Sequence, residues 1–97
     1  MSKPVSHKNI DRFIQLGIAI STLRKIKGMS QEQLAAEAHI SRSLLGTIEA
    51  PNTAHCFSLE VFFDLADALD VTPTDLLEAS TFHDKFINKN REKSKNI

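Results

Sequence analysis

Apolar side chains recur along this chain at helical intervals, and no stretch shows the alternation of a strand. Phe13, Leu16, Ile20 and Leu23 are spaced by three, four and three residues, which is one face of a helix. The spacing predicts a first helix over about Asn9 to Lys27, ended by Gly28 in a left-handed conformation. Ser30-Gln31-Glu32-Gln33 has the pattern of a capping box and opens a second helix that runs to about Ala38, with Leu34, Ala35 and Ala38 inward. His39 falls at the turn position where φ is often positive, Ile40 follows, and Ser41 is a second N-cap. A third helix is predicted from about Arg42 to Glu49, with Leu45 and Ile48 inward, and Pro51 ends it. After a loop over 51–58, Ser58 caps a fourth helix whose apolar face is Leu59, Phe62, Leu65, Ala66 and Leu69. Thr72-Pro73-Thr74-Asp75 combines a Thr cap, a Pro at the first helical position and an acid in the first turn, and opens a short fifth helix carrying Leu76 and Leu77.

Composition narrows the class without changing this picture. The chain has 97 residues, enough for one domain with a small core, and its 41% hydrophobic and 25% charged residues are ordinary globular usage. No run approaches the ~18 apolar residues of a membrane span, and the N-terminal residues lack the apolar stretch of a secretory signal. The single cysteine, Cys56, excludes an internal disulfide framework and fits a reducing compartment, so a cytoplasmic location is expected. His55-Cys56 offers two adjacent ligands and no metal-site spacing, there is no nucleophile elbow, and three glycines make no phosphate loop. No metal, no cofactor and no enzymatic activity are expected.

Charge does change the picture. The 12 basic and 12 acidic residues cancel overall but are unevenly placed. Residues 1–49 hold seven basic and four acidic side chains, residues 50–82 none and six, and residues 83–97 five and two. Polyanion binding needs a local basic face rather than a basic total. Both ends can contribute to one, and the middle cannot.

Two short helices joined by a tight turn, with Ala35 small where they cross, describe a helix-turn-helix. The second helix of such a pair enters the major groove, and its N-terminal residues reach base edges. The outward positions there are Arg42, Ser43, Gly46 and Thr47. Arg42 suits guanine O6 and N7; Ser43 and Thr47 can donate or accept, and the Thr47 methyl could touch thymine. Gln31, at the start of the second helix, is placed to bond a phosphate, and Ser41 and Lys27 are further phosphate candidates.

Over about 62 residues, the order and spacing resemble the Xre/Cro/CI family of phage-repressor-like regulators. The matching residues are Leu16-Gly17, Ile20, Leu23-Arg24, then Gly28-Met29-Ser30-Gln31-Glu32-Gln33-Leu34-Ala35, Ile40-Ser41, Leu45, Ile48-Glu49, and Ser58-Leu59 onward to Leu76-Leu77. The resemblance implies an all-α, five-helix lambda-repressor-like DNA-binding domain, usually a dimer on a two-fold operator. It implies that Arg24 pairs with Glu49, that Gln31 contacts phosphate, and that Arg42, Ser43, Gly46 and Thr47 read bases. The chain departs from the family pattern at His39, where a glycine is usual, and at Ala50-Pro51, where a basic residue and glycine are usual. Its following loop is about two residues longer and lacks Lys and Arg, and Gly46 stands where a polar residue is common.

Apolar residues in excess of one core remain. Ile10, Ile14 and Gly17 lie beside the first helix's core stripe, Ile18 lies further round, and Phe57, Val61 and Phe63 exceed what the fourth helix needs. Phe57, Val61 and Phe63 are read as a two-fold dimer contact. Phe82, Phe86 and Ile87 suggest a C-terminal helix over about Thr81 to Asn90, packed on the first helix. The expected organisation is a flexible tail over 1–8, the DNA-binding domain over 9–79, and an extension over 80–97 that is partly helical and then frayed. The expected function is a sequence-specific, dimeric DNA-binding regulator, a repressor of a small operon or of its own gene. A restriction-modification controller is a variant of that function. The alternative is a protein-interaction module of the same fold, an antitoxin or antirepressor with a protein partner, which the acidic middle favours.

Overall fold

The computed structural model describes residues 4–81, and every regular element among them is helical. A 3-10 turn at His7–Asn9 leads into α1 (Ile10–Ile26), followed by α2 (Gln31–Glu37), α3 (Arg42–Glu49) and α4 (Leu59–Ala68). A fifth helix, α5, covers residues 73–81. The 3-10 turn lies across the expected end of the N-terminal tail. It is held by the Asn9 N–H on the Ser6 carbonyl at 2.9 Å, with Arg12 Nη1 donating to Asn9 Oδ1 at 2.9 Å. Helix α5 runs through position 80, where a C-terminal extension was expected to begin. The expected helix over about Thr81 to Asn90, with Phe82, Phe86 and Ile87, lies outside the described residues apart from Thr81.

Three of the junctions follow one local plan. After α1, α2 and α4 the chain places one residue in the left-handed region: Gly28 at φ 73°, His39 at φ 57° and Asp70 at φ 57°. At each, two N–H groups fold back onto the helix end, as Met29 on Arg24, Ile40 on Ala35 and Val71 on Ala66 show at 3.0, 3.0 and 3.1 Å. This is the Schellman arrangement, which satisfies carbonyls a helix end leaves orphaned. The next residue is apolar and packs against the core (Met29, Ile40, Val71). The one after it is a hydroxyl cap. Ser30 Oγ accepts from Gln33 N–H at 3.1 Å, Ser41 Oγ from Leu44 N–H at 3.0 Å, and Thr72 Oγ1 from Asp75 N–H at 3.0 Å. Gln33 returns the bond to the Ser30 N–H at 2.8 Å, completing the expected capping box. Each junction thus stops one helix, anchors the turn and starts the next within three residues.

The core is built from Ile20 of α1, Leu34 and Ala35 of α2, Leu45 and Ile48 of α3, Phe62 and Leu65 of α4, and Leu76 of α5. Two apolar residues singled out from the sequence, one on the expected apolar face of the fourth helix and one on the fifth helix, are exposed. Leu59 is 65% exposed because it is the first residue of α4 and projects past the packed layer. Leu77 is 50% exposed, since one turn of α5 can bury only one of two adjacent leucines, and Leu76 takes that place. At Gly17 the backbones of α1 and α3 come so near that a Cβ would run into the Ile48 carbonyl oxygen.

Beside that contact lies a buried ion pair. Arg24 and Glu49 are only 8% and 6% exposed. The guanidinium meets the carboxylate through two bonds, Nε to Oε2 at 2.9 Å and Nη2 to Oε1 at 3.0 Å. Arg24 Nη1 also donates to the Met29 carbonyl at 2.8 Å, and Gln31 Nε2 donates to Glu49 Oε1 at 3.0 Å. The hydrogen bonds and the charge of Glu49 raise the Arg24 pKa beyond the ordinary arginine range, against the opposing effect of burial, so the guanidinium stays charged. One network therefore joins the end of α1, the first junction, the start of α2 and the end of α3.

Two stability measurements test this account. Removing one partner of a buried pair strands a charge and costs about 3–5 kcal/mol. Thermal unfolding followed by circular dichroism should show a large loss for Glu49→Ala. The double variant Arg24→Met/Glu49→Leu should lose less than the sum of the two single changes. A sum that is simply additive would mean the two groups do not act as a unit. At the second junction, His39→Gly removes the Cβ penalty of a left-handed residue, about 1 kcal/mol. It should raise Tm by roughly 4–8 °C for a domain of this size, and a Tm that falls would contradict the strain assigned to His39.

Candidate nucleic-acid interface

Along α3, inward and outward positions interleave. Leu45 and Ile48 are buried in the core and Glu49 is held by Arg24, which fixes the helix's rotation about its axis. Arg42, Ser43 and Thr47 are exposed on the opposite side, and Gly46 is half-buried between them. These four expected base-reading residues share one face by their spacing. Arg42 is the first residue of α3, so its guanidinium leaves from the helix end rather than from its middle. Thr47 donates its hydroxyl to the Ser43 carbonyl one turn back, at 3.0 Å.

The expected phosphate residues have different surroundings. Ser41 is exposed, and its oxygen already accepts from the Leu44 N–H as the α3 cap, which leaves its own O–H to donate. Lys27 is exposed at the end of α1. Gln31 is half-buried at the start of α2 with one amide hydrogen on Glu49; its second amide hydrogen remains to donate outward. The spacing argument foresaw the position of Gln31 and missed its internal partner. A side chain that serves two elements leaves no mark in the periodicity of one.

Gln31 and Gly46 lie on a common cleft of about 410 Å³ between α1, α2 and the end of α3. Ser21, Thr22 and Lys25 of α1 line the same cleft. These donors were not singled out from the sequence. Their signal is the spacing Ser21, Thr22, Lys25, which places them together on the face of α1 away from its core stripe. The loop over 51–58 supplies Pro51 to the cleft and no cationic side chain.

The expected dimer residues are only partly free. Phe57 is half-buried and meets Phe13 edge to face, with centroids 5.8 Å apart. Val61 is half-buried against the core. Phe63 is 43% exposed beside Phe62. Elsewhere, the exposed Leu59 and Leu77 line an apolar groove with Phe13, Leu16 and Phe57. Among the described residues no helix is long and apolar enough to cross a membrane.

Comparison with known proteins agrees with this geometry. Residues 20–76 match the family model described as helix-turn-helix, of the Xre/Cro/CI type. The restriction-modification controller protein C.AhdI from Aeromonas hydrophila is similar in structure, with a TM-score of 0.61 and 36% identity over 66% of this chain and 94% of that one. Two structures of the clp gene regulator ClgR from Corynebacterium glutamicum share the fold. One has a TM-score of 0.70 at 21% identity over 88% of this chain and 87% of that chain; the other has 0.64 at 24% over 81% and 92%. No curated protein matches the chain. The interleaved third helix, its ion-paired end and the match over 20–76 place the chain in the Xre/Cro/CI-type helix-turn-helix family of DNA-binding transcriptional regulators.

Proposed function

We propose that this protein is a sequence-specific repressor that binds a two-fold operator as a homodimer, each subunit placing α3 in the major groove. The observation that carries this is the α3 face of Arg42, Ser43, Gly46 and Thr47, turned outward by a helix whose other side is locked to the core and to Arg24. Arg42 reads guanine through O6 and N7, with Ser43, Gly46 and Thr47 against neighbouring bases. Gln31, Ser41 and Lys27 hold phosphates, and Lys25 with Ser21 and Thr22 extends that hold along the cleft. The two half-sites lie about 34 Å apart, one helical turn of DNA. Phe63 supplies the exposed part of the dimer contact, with Phe57 and Val61 supporting it from the core side. The protein acts in the cytoplasm and needs no cofactor. Similarity to C.AhdI favours the restriction-modification controller variant of this role.

The test is selection of bound duplexes from a random DNA pool at low salt, followed by a salt titration of the winner. A palindrome and a steep fall of affinity with salt are expected, since each neutralised phosphate releases counterions. Folded protein that enriches no sequence would instead favour a module that binds a protein, the role that the base-free stretch over 50–82 suits. On the selected operator, Arg42→Ala should cost about 1–3 kcal/mol and relax preference at one base position. Equal loss on every sequence would remove Arg42 from base reading. Phe63→Glu should shift the protein to monomer in sedimentation while leaving its helical spectrum unchanged. A dimer of undiminished stability would move the contact elsewhere.

A further inference from the structure

On the face of α3, two features point to one base. Threonine in a helix can turn its hydroxyl onto the carbonyl one turn back, and Thr47 does so, donating to the Ser43 carbonyl at 3.0 Å. Its only hydrogen-bond donor is therefore engaged inside the helix. It has none left for guanine O6 or N7, adenine N7 or thymine O4, all of which are acceptors. What an exposed Thr47 still presents is its methyl group and oxygen lone pairs.

The neighbouring residue is Gly46. A Cβ built there would meet nothing nearer than Gln31 Oε1 at 4.0 Å, so the packing of the domain does not require a glycine. Nor does the backbone, since Gly46 has no positive φ and sits inside a regular helix, which glycine weakens. Its effect is external. It lowers the helix surface beside the Thr47 side chain and leaves a notch floored by backbone.

We infer that Gly46 and Thr47 together form a pocket for the C5-methyl group of a thymine in the major groove, with Gly46 as floor and the Thr47 methyl as wall. This rests on the DNA-binding function proposed above and names the base that this part of α3 selects. Thymine is the base that presents a methyl group in the major groove. The contact is apolar and discriminates thymine from cytosine by that methyl, not by a hydrogen bond.

The experiment uses the full chain and the selected operator, with each thymine of a half-site replaced in turn by deoxyuridine, which differs only by the lost methyl. One position per half-site should lose about fourfold in affinity, the worth of one buried methyl group. Thr47→Val keeps a methyl wall and should keep that preference. Thr47→Ser keeps the hydroxyl and removes the methyl, and should abolish it. Gly46→Ala fills the notch and should also reduce it, and the space around Gly46 leaves the fold intact; circular dichroism checks each variant. Equal binding of thymine and deoxyuridine at every position would overturn the inference while leaving operator binding standing. A preference that survives Thr47→Ser would overturn it too. Failure to select any operator would overturn the DNA-binding proposal itself, and this inference with it.

Discussion

The arrangement of the first three helices depends on one buried charge pair. A guanidinium and a carboxylate, each almost withdrawn from water, are costly unless they meet with good geometry and their remaining polar atoms are satisfied. Here Arg24 and Glu49 meet through two bonds, and the Met29 carbonyl and the Gln31 amide take up further positions around them. Such a pair adds little net stability over an apolar substitute, but it tolerates few alternatives. Any slip of α3 along α1, or rotation about its own axis, would strand both charges. The Gly17 contact beside it works in the same direction, since only a residue without a side chain allows the α3 backbone so near α1. Together they set how α3 projects from the domain.

Much of the fold was legible because its punctuation is local. Ser30, Ser41, Ser58 and Thr72 all cap as expected, and α3 has the predicted bounds. His39 does occupy the left-handed region. What escaped the sequence was one local conformation and several tertiary contacts. Asp70 adopts the same left-handed conformation as His39, yet an aspartate after a helix also reads as an ordinary surface acid. Leu59 satisfies the apolar period of α4 and is nevertheless exposed, because period does not say where the neighbouring elements stop. Gly17 looked like a member of an apolar surplus and is in fact a place where two helices meet too closely for any side chain.

The candidate site was legible as a list of positions and less so as chemistry. Spacing alone puts Arg42, Ser43, Gly46 and Thr47 on one face. It does not say that the Thr47 hydroxyl is turned back onto the Ser43 carbonyl or that Gln31 is tied to Glu49. Hydrogen bonds of this kind decide what a side chain has left to offer. The apolar residues show the same gap: Phe57 counted as surplus, yet it packs against the core and meets Phe13 edge to face.

The interleaving along α3 has a broader consequence. Within eight residues, those that hold the helix (Leu44, Leu45, Ile48, Glu49) and those that face outward (Arg42, Ser43, Gly46, Thr47) are disjoint sets. Among the outward four, the single side-chain hydrogen bond stays within the helix itself. Outward face and scaffold are therefore physically separable. The outward residues can be rewritten without disturbing the domain that carries them, and a grafted set would project from the domain at the same depth and angle as the original.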